Sequence, residues 1–234
     1  GIAVNGKRVI IRGACIHHDN GILGACTYPE AEERRIRILK EAGYNAVRSA
    51  HNPASRALLE ACDALGMYVM DEAWDMWFMR KNPCDYASDF EESWEGDLAA
   101  LVEKDRNHPS VIMYSIGNEV SEPAKDEGVE KTKEMVAFLH GIDPTRPVTG
   151  GFNLMIITNA YKGKAVYNAE EGGRNTDTDK TSGMNSTLFN MLTSLVGSGM
   201  NKAANSKKSD ELCSPSLDFL DVKYPALLYF VENE

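Results

Sequence analysis

The chain has 234 residues, 43% of them hydrophobic and 26% charged, with 25 Lys and Arg against 35 Asp and Glu for a net charge of −10. That composition reads as one soluble globular domain or a domain and a half. The acidic balance argues against nucleic acid or an anionic membrane as partner.

No apolar run approaches the roughly 18 residues of a membrane span, and no charged segment followed by an apolar one marks a targeting signal. Localisation therefore stays open between cytoplasm and periplasm. Cys15, Cys26, Cys62, Cys84 and Cys213 are scattered and odd in number, so reduced thiols are expected rather than a disulfide framework or zinc ribbon.

Val9–Ile16 is a β-rich run that empties into the polar cluster His17, His18, Asp19. Pro29–Ala42 reads as a helix with Ala31, Ile38, Leu39 and Ala42 on one face and Gly43 as its stop. Tyr44–Ser49 is a second strand, ended by His51, Asn52 and Pro53, and a helix over Ala54–Leu65 closes at Gly66. Met67–Met70 is a third strand running into Asp71 and Glu72. A longer segment with Trp74, Trp77 and Tyr86 leads to a helix over Asp89–Lys104, striped by Phe90, Trp94, Leu98 and Leu101.

Val111–Ile116 is the fourth strand, delivering Asn118 and Glu119. A helix over Ala124–His140, a weak fifth strand over Pro147–Thr149 and a sixth over Leu217–Val222 follow. Between the last two, residues from about 151 to 215 are rich in Asn, Gly, Ser and Met. They are expected to be an insertion with an amphipathic stretch at Leu188–Val196.

Strands alternating with helices imply right-handed crossovers and a parallel sheet. An open doubly wound sheet competes with a (β/α)8 TIM barrel. The first strand–helix turn has no glycine-rich phosphate pattern, and ionisable residues follow each of the first four strands, where a barrel carries its active site. The barrel is the better reading. With about six of eight strands, it is expected to be incomplete.

In a barrel, those strand ends are expected to gather His17, His18, Asp19, Arg48, His51, Asn52, Asp71, Glu72, Asn118 and Glu119 at one mouth. Glu119 is the candidate acid: a carboxyl held partly out of water keeps its proton nearer neutral pH and can donate it. Glu72 or Asp71 is expected to pair with Arg48, the other to bond backbone at the rim. His17, His18, Asp19 and His51 could ligate zinc or iron, but adjacent histidines point apart, so hydrogen bonding to a polyhydroxyl substrate is preferred. No metal or cofactor is expected. Trp77, with Trp74 and Tyr86, is a candidate sugar-stacking platform, against the plainer alternative of packing.

Val4–Gly13 with His17, Asn45–Pro53, Leu59–Asp63, Tyr68–Glu72 and above all Asp105–Glu119 resemble the catalytic barrel of glycoside hydrolase family 2, which includes β-galactosidases and β-glucuronidases. The resemblance covers about residues 4–150. It implies hydrolysis of β-glycosides with retention by double displacement, and flanking β-sandwich domains. It implies that Glu119 is the general acid/base, that Asn118 bonds the sugar 2-hydroxyl, that Arg48 lies near the nucleophile, and that His17 and His51 line the sugar subsite.

The family's nucleophilic glutamate ends a later strand, and neither Glu232 nor Glu234 follows a comparable one, so the nucleophile is expected to be lacking from this chain. A catalytically inactive carbohydrate-binding barrel is the alternative. Where some members place an acidic magnesium ligand, this chain has Met76.

Overall fold

The computed structural model describes residues 2–82, 84–163, 167–168 and 173–174. A hairpin opens it: β1 (Ala3–Val4) pairs antiparallel with β2 (Lys7–Arg8) around Asn5 and Gly6, both at positive φ. Asn-Gly is the pair such a two-residue turn requires, yet strands this short have no periodicity to read.

The body is a five-stranded parallel sheet in the order β3 (Gly13–His17), β4 (Ala46–Ala50), β5 (Tyr68–Glu72), β6 (Val111–Asn118) and β7 (Val148–Gly151). Neighbours in sequence are neighbours in space throughout, with helices α1 (Pro29–Glu41), α2 (Arg56–Leu65), α3 (Phe90–Asp105) and α4 (Asp126–Ile142) on the connections. This is the winding of a TIM barrel, five of whose eight strands lie in the described residues. The expected sixth strand, Leu217–Val222, lies outside them, as does the Leu188–Val196 stretch.

Local chemistry explains the helix ends. The Ser55 side chain accepts from the Leu58 N–H, and Gly66 takes the left-handed conformation that stops α2. Along α3 the expected stripe of Phe90, Trp94, Leu98 and Leu101 is buried. On α1 the inward face differs from expectation. Ile36 and Glu32 are buried while Ile38 is 46% exposed. Glu32 goes inside because Asn20 and Arg35 hydrogen-bond its carboxylate, which a hydrophobic pattern does not register.

The stretch expected to be an insertion, from about 151, is described mainly at its start. Phe152, Ile156 and Ile157 join the core, and Leu154–Tyr161 forms helix α5. Beyond it, β8 (Tyr167–Asn168) and β9 (Gly173–Arg174) make a short antiparallel pair.

The turn between α4 and β7 is closed by Asp143. Its carboxylate accepts from the Thr145 N–H and hydroxyl, the Tyr114 hydroxyl at 2.9 Å and Arg146 at 2.8 Å. Burial alone would raise this carboxyl, but the bonds from Thr145, Tyr114 and Arg146 outweigh it and hold it at about 2. A depressed folded value means stability that is complete above the ordinary aspartate range and lost as pH falls toward 2. The contribution at neutral pH is about 2 kcal/mol. Asp143→Asn is expected to lower neutral-pH stability by that order and to flatten the acid limb between about pH 4 and pH 2, read by urea unfolding across pH.

Candidate active site

The site is assembled at the C-terminal ends of β3 to β7. Arg48, in the middle of β4, is its hub. Its Nε donates to Glu72 Oε2 at 2.9 Å and its Nη2 to Glu72 Oε1 at 2.8 Å, a bidentate pair. The same Nη2 donates to Asn118 Oδ1 at 2.7 Å, and Nη1 reaches Cys15 Sγ at 3.5 Å. Burial works against the guanidinium's charge, but the Glu72 carboxylate and Cys15 more than compensate and hold Arg48 above the usual arginine value.

Glu72 is fully buried and also accepts from the Ser115 hydroxyl at 2.6 Å. His51 Nδ1 lies 3.0 Å from Glu72 Oε1 and 3.3 Å from Arg48 Nη2. A guanidinium only donates and a carboxylate only accepts. A proton on Nδ1 therefore makes the Glu72 contact the hydrogen bond. His17 stands edge-on to His51, ring centroids 5.0 Å apart.

Asp71 and Glu72 divide as expected, because neighbours on a strand face opposite ways. Glu72 turns into the mouth. Asp71 turns out toward the helices, accepting from the Ala54 N–H at 2.8 Å. Burial pushes Asp71 well above the usual carboxylate range, reinforced by its bond to Asp105. It is a buried group that holds the segment leading into α2, away from the mouth.

Asn118 ends β6 with its amide held at both ends. Oδ1 accepts from Arg48, and Nδ2 donates to Asp75 Oδ1 at 2.9 Å. Lys81 Nζ donates both to Asp75 Oδ1 at 2.9 Å and to the Asn118 carbonyl at 2.7 Å. Burial would raise Asp75, but Lys81's charge, then the bonds from Lys81 and Asn118, bring it below the usual aspartate value.

Glu119 follows at φ +45°, a left-handed conformation uncommon outside glycine. Its N–H donates to Gly151 O at 2.8 Å, and its Oε1 accepts from Asn153 Nδ2 at 2.8 Å. Such a conformation persists only where the surroundings enforce it, and it turns the side chain out of the strand's alternation. Gly151 matters for a second reason. A Cβ there would overlap Arg48 Nη2 and stand 3.3 Å from Asn118 Oδ1, so only glycine leaves room for the hub.

Of the expected site residues, Arg48, His51, Asn118 and Glu119 are brought together, with His17 beside His51. Trp77 requires correction as a stacking platform. It has no exposed surface, its Nε1 donates to the Ile116 carbonyl at 2.5 Å, and its ring packs on Phe90 and Phe152. An indole this deeply enclosed supports the floor of the site from beneath. Trp74 and Tyr86 likewise turn inward, both donating to Asp97 Oδ2.

The His17, His18, Asp19 cluster separates: His18 Nε2 bonds Pro53 O and Asp19 caps the Gly21 N–H. Among the described residues no group of three His, Cys, Asp or Glu side chains is arranged to hold a metal. At the position where the resemblance would put an acidic magnesium ligand, Met76 offers a thioether, whereas magnesium demands oxygen.

Asp75, Lys81 and Asn153 were not singled out from the sequence. The only legible signal was at Asn153, an Asn just before the apolar run Leu154–Ile157, which marks a helix N-cap.

Residues 1–169 match the family model described as "Glycosyl hydrolases family 2, TIM barrel domain". The chain belongs to glycosyl hydrolase family 2. Beta-galactosidase BoGH2A of Bacteroides ovatus is 44% identical over 184 residues, covering 65% of this chain and 22% of that protein. A beta-glucuronidase of Bacteroides fragilis is 32% identical over 156 residues, again 65% of this chain and 22% of the relative. The crystal structure of a glycosyl hydrolase family 2 member from Bacteroides cellulosilyticus superposes with TM-score 0.63 at 48% identity, over 69% of this chain and 21% of that one. The chain thus spans about a fifth of the length of these relatives. Homologues of this family are glycoside hydrolases, and residues 1–169 correspond to the family's TIM barrel domain.

Proposed function

We propose that this barrel hydrolyses β-glycosides with retention, Glu119 acting as general acid and then general base. The reading rests on one observation above others: Glu119 leaves β6 in an enforced left-handed turn directly beside Asn118, whose amide is locked by Arg48 and Asp75. A locked amide presents Nδ2 to a substrate hydroxyl without reorganisation, which is what preorganised sites supply. Asn118, Arg48, His17 and His51 then line the sugar subsite. Galactosides and glucuronides are the substrates to try first, from the relatives' names.

Retention needs a second carboxylate as nucleophile, roughly 5 Å from the first. Glu72 is fully taken by Arg48, His51 and Ser115, and Asp75 Oδ1 already accepts from Lys81 and Asn118. We propose that this chain lacks the nucleophile. The same occupancy of Glu72 and Asp75 favours, as second reading, a barrel that binds sugar without turning it over.

Calorimetry with aryl β-galactosides and β-glucuronides, paired with release of the aryl alcohol, tests both. Binding with weak or absent hydrolysis by the chain alone is expected, any hydrolysis being lost in Glu119→Gln while binding persists. Robust hydrolysis by this chain, abolished in Glu119→Gln, would overturn the proposal that the nucleophile is lacking. Absence of binding to any β-glycoside would overturn the glycosidase reading itself.

A further inference from the structure

We infer that Asn153 is a positioning residue that sets the orientation of the Glu119 carboxyl and assigns its transferable proton to Oε2. The inference rests on the role given to Glu119 above. Asn153 has two jobs, and the first dictates the second. Its Oδ1 caps α5, accepting from the Met155 N–H at 3.0 Å and the Ile156 N–H at 3.4 Å.

With the carbonyl end committed to the helix, the amide can turn only its N–H2 end outward, and that end donates to Glu119 Oε1 at 2.8 Å. A flipped amide would put oxygen against carboxylate and leave two helix N–H groups unmet. In the protonated acid, the carbonyl oxygen is the better acceptor of an N–H, so Oε1 keeps the carbonyl character and Oε2 carries the proton. The helix cap is thereby the device that decides which oxygen faces the glycosidic bond.

Other charged groups of the mouth are Arg48 and His51 from β4 and its following turn, Glu72 from β5, and Asp75 and Lys81 from the next loop. Glu122, buried with Oε1 on the Met79 N–H, and His17, edge-on to His51, add to these. None of them is altered by substitutions at 153, so differences between variants report on this contact.

Serine and aspartate both cap helices as asparagine does, which separates capping from positioning. The experiment is a carbon-13 NMR titration of the Glu119 carboxyl in the full chain, its resonance assigned by disappearance in Glu119→Gln. Asn153→Ser keeps a cap but loses the donor, and its titration midpoint is expected to rise by about half a unit. Asn153→Asp puts a second carboxylate in the donor's place and is expected to raise it by about one unit or more. Both should melt close to the parent chain, whereas Asn153→Ala, without a cap, melts lower.

Unchanged midpoints in the Ser and Asp variants would overturn the inference and leave Asn153 as a helix cap alone. If the Asp variant does not fold, the Ser variant decides. The titration needs no turnover, so its failure is distinct from a failure of the glycosidase reading.

Discussion

Glu72→Ala is expected to destabilise the fold by about 3–5 kcal/mol. Glu72 has no exposed surface and meets Arg48 twice, His51 once and Ser115 once. Deleting it leaves a guanidinium that is only 7% exposed with its main counter-charge gone. An uncompensated buried charge, rather than the loss of one favourable pair, sets the size of the effect. Removing both partners should therefore hurt less than removing one: Arg48→Met with Glu72→Met is expected to recover much of the loss. Urea unfolding at neutral pH measures both. A single-variant loss below about 1 kcal/mol would show that water reaches Arg48 and that the hub is not dry.

The second large effect is expected at Gly128→Ala, about 3 kcal/mol or more. Gly128 lies in the first turns of α4, where a Cβ would coincide with the carbonyl carbon and oxygen of Glu122 and stand 2.6 Å from Pro123 N. These are backbone atoms of a turn that Glu122 itself anchors, its side chain accepting from the Met79 N–H at 2.8 Å. No flexible end can move aside, so the helix must retreat and uncover Met135 and Leu139 in the core. A urea midpoint like the parent's would mean that this turn gives way at little cost.

How much was legible beforehand follows from what each element is made of. The α3 stripe, the Gly66 stop and the order of the five strands all follow from apolar periodicity and turn chemistry. Strand ends were placed too early. Asp71, Glu72, Gly117 and Asn118 look like loop residues but belong to β5 and β6. A barrel's last rungs are polar because they form the mouth, so the residues that carry the chemistry are the ones a hydrophobic pattern discards.

Trp77 was misplaced for the converse reason: composition records that an indole is present, not which way it faces. The bond between Asn153 and Glu119 spans 34 positions. Only folding brings those two residues together.

The loop between β5 and α3 has a consequence for engineering. Its aromatics, next to the proposed site, make it an obvious stretch to randomise when a new sugar preference is sought. Its side chains argue otherwise. Trp74 and Trp77 are anchored in the interior, half-buried Tyr86 is tied to Asp97, Asp75 and Lys81 brace Asn118, and Asp85 holds the backbone at Lys81 and Asn82. A library drawn from this loop would sample broken scaffolds more often than altered appetites. Diversity for selection is better sought in segments that do not brace Asn118.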